Sequence, residues 1–153
     1  MKTAILGTGF GKEHAKLFCQ EKLVDEIIIW GRNPEKLKEI ENEFGVKTTT
    51  DMDSIFNDVS IELVDVCLPA KLHAEYAVKA LRAGKHVFVE MPLADTVENG
   101  RKIKDMANAS TLITETASQK PGEPISSLSC HKAACNLKQH RILKYTLTTE
   151  TRN

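Results

Sequence analysis

The sequence predicts an α/β protein built on a doubly wound parallel sheet, and three observations predict it. Short apolar runs alternate with amphipathic helical patterns from residue 3 to about residue 114. The runs are nearly continuous in apolar residues, as expected of strands buried on both faces. The first run passes into a glycine-rich turn, GTGFG at residues 7–11, and then into a helical pattern. Right-handed crossovers between parallel strands leave the doubly wound order as the leading topology.

Each element has its own signal. TAILG (3–7) is a short buried strand closed by glycine, and KEHAKLFCQEK (12–22) a helix. EIIIWG (26–31) is a second strand, rich in β-branched residues. RNPEKLKEIENEFG (32–45) carries helix punctuation at both ends. Asn33 caps, Pro34 fits the first turn and Gly45 fits just past the last. Leu37, Ile40 and Phe44 recur at helical spacing and mark its buried face. VKTTT (46–50) reads as a third strand, DMDSIFNDV (51–59) as a short helix, and ELVDVCL (62–68) as a fourth strand stopped by Pro69. AKLHAEYAVKALRAG (70–84) is a helix with Leu72, Tyr76, Ala80 and Leu81 on one face and Gly84 at its end. HVFVE (86–90) is the fifth strand. In DTVENGRKIKDMANA (95–109), Asp95 and Glu98 have capping-box spacing, and Val97, Ile103, Met106 and Ala107 supply an apolar face. STLIT (110–114) is a candidate sixth strand.

After Thr116 the pattern changes. Residues 117–153 show little sustained periodicity, KPGEP is a loop signal, and only ILKYTLT (142–148) alternates weakly enough to suggest an edge strand. The expected organisation is therefore one domain over residues 1–116 and a divergent or truncated tail over 117–153.

Bulk properties narrow the function classes. Lysine plus arginine and aspartate plus glutamate number 21 each, so the formal net charge is zero. That balance argues for neither nucleic acid nor an anionic membrane as a partner. No apolar run approaches the ~20 residues that span a bilayer. MKTAILGTGFG reaches its glycines after too few apolar residues for a secretory signal, so a cytoplasmic protein is expected. Cys19, Cys67, Cys130 and Cys135 read as small buried apolar side chains rather than disulfides. Cys130, His131, Cys135 and His140 are metal-capable types, but CHKAACNLKQH lacks the paired spacing of a zinc site, and no metal is expected.

The glycine turn points to dinucleotide binding. Gly7 would close the strand tightly and Gly9 would let backbone approach a pyrophosphate, with the next helix aiming its N–H groups and positive end at that phosphate. The third glycine comes one residue early, at Gly11, with Lys12 in the usual place. At the end of the second strand, where an acid would bind the ribose hydroxyls of NAD, WGRN places Arg32 and Asn33. An arginine there can pair with a 2′-phosphate, so NADP is expected over the alternative, NAD.

The stretch VCLPAKLHAEYAVKALRAGKHVFVEMPLA (66–94) resembles the signature of the Gfo/Idh/MocA oxidoreductases. The resemblance runs through Pro69, His73, Ala77, Ala80, Leu81, Ala83, Gly84, Lys85, His86, Val87, Glu90, Pro92 and Ala94, and His14 fits a histidine that follows the family's glycine loop. It covers about residues 2 to 114. It implies a pyridine-nucleotide Rossmann domain, followed in the family by a second α/β domain that has no counterpart in this chain. It further implies Gly7, Thr8, Gly9, Phe10 and Gly11 around the pyrophosphate. Leu68, Pro69 and His73 would lie near the nicotinamide half, Glu90 near the nicotinamide ribose, and the bond before Pro92 would be cis. From their own residue types, His73 could equally cap or pack at a helix start, and Lys85 and His86 could face solvent or pack between elements.

Where the family signature has a lysine, this chain has Met91. Methionine has neither a charge nor an acidic proton to give to a reacting oxygen. Lys85 and Lys102 are no obvious replacements, and the catalytic residue is left unassigned. The resemblance implies an NAD(P)-dependent oxidoreductase acting on a small molecule such as a sugar or polyol. The alternative is a nucleotide-binding or regulatory module without catalysis. Apolar sheet surface that a second domain would cover favours a homo-oligomer.

Overall fold

A computed structural model of the chain describes residues 1–110 and, as backbone, 114–116. The weakly alternating segment 142–148 and the group Cys130, His131, Cys135 and His140 lie outside the described residues.

Six parallel strands form one sheet: β1 (Lys2–Leu6), β2 (Glu26–Trp30), β3 (Lys47–Thr49), β4 (Ile61–Val66), β5 (His86–Val89) and β6 (Thr114–Thr116). They pair in the order β3-β2-β1-β4-β5-β6. The helices are α1 (Phe10–Phe18), α2 (Pro34–Phe44), α3 (Met52–Asn57), α4 (Ala70–Arg82) and α5 (Val97–Asn108). The expected fold class is thus the observed one.

The sheet is buried on both faces because its strands carry apolar side chains in both directions. Ala4 and Leu6 of β1 join Val64, Val66, Val87 and Val89 against α4 and α5. Ile5, between them in sequence, points the other way and joins Ile27, Ile29, Leu63 and Phe88 against α1 and α2. Burying one such side chain contributes roughly 1.5–3 kcal/mol, so the two cores dominate the driving force.

Element ends follow their local chemistry. The Asn33 side chain accepts from Lys36 N–H at 3.0 Å, Pro34 opens α2, and Gly45 ends it at φ 67°. Leu37 and Ile40 are buried and Phe44 packs at their margin. Five expectations need correction. The cap of α5 is Thr96, whose hydroxyl accepts from Asn99 N–H at 3.1 Å, while Asp95 accepts from the Asn99 side chain. With the helix starting at Val97, that side chain is 70% exposed, and Ile103 carries the buried face. Helix α1 starts inside the glycine turn and stops at Phe18, its last buried side chain, which leaves Cys19 exposed rather than buried. The sixth strand lies at 114–116, later than the pattern at 110–114 placed it.

The order places β1 beside β4, with the chain leaving β1 for β2 on one side and β4 for β5 on the other. The turns after β1 and β4 therefore diverge and leave a crevice at the carboxyl ends of the strands. This is where ligands bind in open parallel sheets.

Candidate functional site

That crevice is a cleft of about 490 Å³. Ten of the sequence-predicted residues line it: Gly7, Thr8, Gly9 and Phe10 from the first turn, Arg32 after β2, Leu68, Pro69 and His73 around the start of α4, and Glu90 and Pro92 after β5. Gly11 and Asn33 are not among its lining. Gly11 faces the sheet, where an added Cβ would lie 2.9 Å from Ile5 Cγ2, so its role is close packing of α1 on β1. Asn33 is the cap of α2. Trp30, Gly31, Cys67 and Ala70 also line the cleft. Sequence reading did not place them there, although each follows or ends a strand at the carboxyl edge.

The first turn is built to bring backbone close. Gly7 has φ +117° and donates its N–H to Trp30 O at 2.9 Å. A Cβ at Gly7 would sit 2.6 Å from Cys67 O, so no other residue fits between β1 and β4 there. At Gly9 a Cβ would meet nothing within 4 Å, because this backbone faces the open cleft. The helix ends make the same distinction. Helices α2, α3 and α5 are capped by the side chains of Asn33, Asp51 and Thr96. Helices α1 and α4, which start at the cleft from Gly9 and Pro69, have no side-chain cap. Uncapped first-turn N–H groups at the positive end of α1, beside an open glycine, fit an anionic phosphate.

At the other end of the cleft, His73 is 1% exposed. Its Nδ1 lies 2.7 Å from Pro92 O and its Nε2 2.5 Å from Leu68 O. The ring thus ties the turn after β4 to the turn after β5. The Met91–Pro92 peptide is cis. Met91 lines the cleft at 48% exposure, and Glu90 accepts from the Met91 N–H.

Among the described residues lining the cleft there is no lysine. Lys85 is buried at the opposite end of β5, where its ammonium donates to Asp58 O at 2.6 Å and Ile61 O at 3.1 Å; burial lowers its pKa. Lys102 lies on the exposed face of α5, paired with Glu98. Neither replaces a lysine at residue 91.

Behind the cleft lies a group that sequence reading did not assemble. His14 of α1 and Asp65 of β4 are both fully buried, with Nδ1 and Oδ2 2.7 Å apart. His14 Nε2 lies 3.4 Å from Glu90 Oε1, at ion-pair distance without hydrogen-bond alignment. Burial opposes the imidazolium charge, but Asp65 and Glu90 together outweigh it and push His14 up to about 9. Cys67 Sγ lies 3.2 Å from His14 Nδ1 and 3.4 Å from Asp65 Oδ1. These donor types could hold a metal, but their separations are those of direct hydrogen bonds, and the arrangement is a closed polar cluster. The signal for it was an aspartate inside an apolar strand and a histidine on a buried helix face, each requiring a partner.

Residues 1–116 match the model of an oxidoreductase family with an NAD-binding Rossmann fold, Gfo/Idh/MocA. The chain belongs to this family. It is 32% identical over 123 residues to levoglucosan dehydrogenase of Pseudarthrobacter phenanthrenivorans, which covers 74% of this chain and 32% of that protein. It is 32% identical over 111 residues to the NADP(+)-dependent scyllo-inositol 2-dehydrogenase of Bacillus subtilis, covering 71% and 30%. A solved levoglucosan dehydrogenase in complex with NADH superposes with a TM-score of 0.70 at 31% identity, over 76% of this chain and 34% of that one. This Gfo/Idh/MocA chain spans about a third of the length of the curated relatives it matches. No helix among the described residues is long and apolar enough to cross a membrane.

Proposed function

We propose that this chain binds NAD(P)H in the cleft between the β1 and β4 turns and forms the nucleotide half of an oxidoreductase. Residues 1–116 are the nucleotide domain in this reading and 117–153 a divergent or truncated tail. The observation that carries it is the uncapped start of α1 facing an open Gly9 at the sheet's switch point. Backbone N–H groups of the first turn would hold the pyrophosphate, and Leu68, Pro69, Glu90 and Pro92 would border the nicotinamide half. Arg32, exposed at the cleft beyond β2, favours a 2′-phosphate and hence NADP(H). The bound nucleotide supplies hydride exchange at C4 of its nicotinamide, and the protein orients and shields it. The partner substrate is a small carbonyl, alcohol or imine, a sugar or polyol by family. A cytoplasmic location belongs to the same reading, as does self-association through exposed apolar side chains away from the cleft, such as Val59 and Val97. Gel filtration checks the last point, with a clean monomer counting against it.

A second reading, nucleotide binding without catalysis, is favoured by Met91 at the cleft and by the lack of a lysine among the described lining. Titrating NADPH and NADH while following Trp30 emission tests both readings. Absence of binding removes them together, while binding without turnover on a panel of sugars and polyols favours the second. If Met91→Lys raises turnover, the lysine was the missing group.

A further inference from the structure

We propose that His14 is a positioning residue of the nucleotide site. Clamped between Asp65 and Glu90, its ring fixes where the Glu90 carboxylate stands at the nicotinamide end of the cleft; this rests on the nucleotide-binding reading above.

The geometry joins three elements. His14 comes from α1, the helix that the glycine turn opens. Asp65 comes from β4 and Glu90 from the end of β5. Side-chain exposures are 0% for His14 and Asp65 and 14% for Glu90. Asp65, buried in a sheet core, needs a positive partner, because an uncompensated buried carboxylate is costly. His14 supplies it through Nδ1 at 2.7 Å. Its other nitrogen then faces Glu90 Oε1, while Glu90 Oε2 accepts the Met91 N–H. The carboxylate is hydrogen-bonded on one side, faces the imidazole charge on the other, and remains part of the cleft wall.

The Cys67 thiol and the Phe88 ring, whose centroid lies 5.7 Å from that of His14, also stand against the ring. Neither brings a positive charge. As an imidazolium, His14 hydrogen-bonds Asp65 through Nδ1 and sets its remaining positive charge at Nε2, 3.4 Å from Glu90 Oε1. As a neutral ring that keeps its Nδ1–H on Asp65, it turns a lone pair toward Glu90, and attraction becomes repulsion. The site therefore has its Glu90 fixed while His14 is charged, which holds through neutral pH and ends as pH rises through about 9.

The test uses the full 153-residue chain. NMR of 15N-labelled histidine should show the His14 ring doubly protonated at pH 7; a neutral ring there overturns the proposal. The same measurement stands even if NADPH fails to bind, in which case the functional reading falls and the charge on His14 is still decided. If NADPH binds, its affinity should hold from pH 6.5 to 8 and decline as pH approaches 9.5, and Glu90→Gln should flatten that decline. An unchanged profile in Glu90→Gln overturns the proposal. His14→Gln should weaken NADPH binding roughly tenfold at pH 7, the scale of one charge-assisted contact, with little further loss on adding Glu90→Gln. Fully additive losses in a folded double variant would overturn it. Should His14→Gln fail to fold, the pH profiles of the wild-type and Glu90→Gln proteins decide alone.

Discussion

Exchanging Gly7 or Gly9 for alanine separates what the glycine turn does for the fold from what it does for the ligand. At Gly7 the new methyl carbon would lie 2.6 Å from Cys67 O, a backbone atom that cannot swing aside, and the residue would hold φ +117°. The strained backbone costs on the order of 1–3 kcal/mol and the forced separation of β1 and β4 about as much again. Gly7→Ala should therefore lose about 2–6 kcal/mol, a large part of the roughly 5–15 kcal/mol net stability of a domain. At Gly9 the same methyl meets nothing within 4 Å. Gly9→Ala should stay within about 1 kcal/mol of wild type, yet its methyl would stand where a phosphate must approach, weakening NADPH binding at least about tenfold. Urea unfolding followed by Trp30 emission gives the first quantity, and NADPH titration gives the second. Equal stability losses in the two variants, or unchanged NADPH affinity in Gly9→Ala, would refute the division of roles.

Three further outcomes are expected. Raised from an ordinary 6.5 to about 9, His14 contributes stability that is fully present below pH 6.5 and lost as pH rises through about 9, up to about 3 kcal/mol; urea midpoints measured from pH 6 to 10 should fall on the alkaline side, and His14→Gln should abolish the slope. Asn33→Ala removes the cap on Lys36 N–H and should cost about 1 kcal/mol without changing nucleotide affinity, as unfolding and titration together would register. Arg32→Ala should weaken NADPH binding about tenfold and leave NADH binding nearly unchanged, which paired titrations check.

The doubly wound class and both helix layers were legible because the strands carry apolar residues in every direction and the helices only on one face. Punctuation was legible where a single residue type decides it, as at Asn33, Pro34 and Gly45. It misled at α5, where Asp95 and Thr96 are both good caps and adjacent. Only packing chooses between them, by burying Ile103 and leaving Val97 outside. Lys85 shows another limit. Its long stem lets the ammonium reach Asp58 O and Ile61 O, so a lysine that could face solvent is instead 2% exposed.

Most of the cleft lining was legible in the sequence: the glycine turn and Arg32 from strand ends, and Leu68, Pro69, His73, Glu90 and Pro92 from what the family resemblance implies. What it did not disclose is the group behind the cleft. His14 and Asp65 are 51 residues apart, and only the pairing of β1 with β4 brings α1 over that strand. Likewise the His73 ring, expected near the nicotinamide, has its two nitrogens turned to the Pro92 and Leu68 carbonyls, joining two turns of the cleft wall.

The account stands most directly on where NAD(P)H touches this chain. Backbone amide shifts recorded by NMR as NADPH is added measure that residue by residue. The account predicts the largest changes at Gly7 to Gly11, at Leu68, and from Glu90 to Met91, with little change on the far side of the sheet near Lys85. Saturable shifts centred elsewhere, or none at millimolar NADPH, would contradict it.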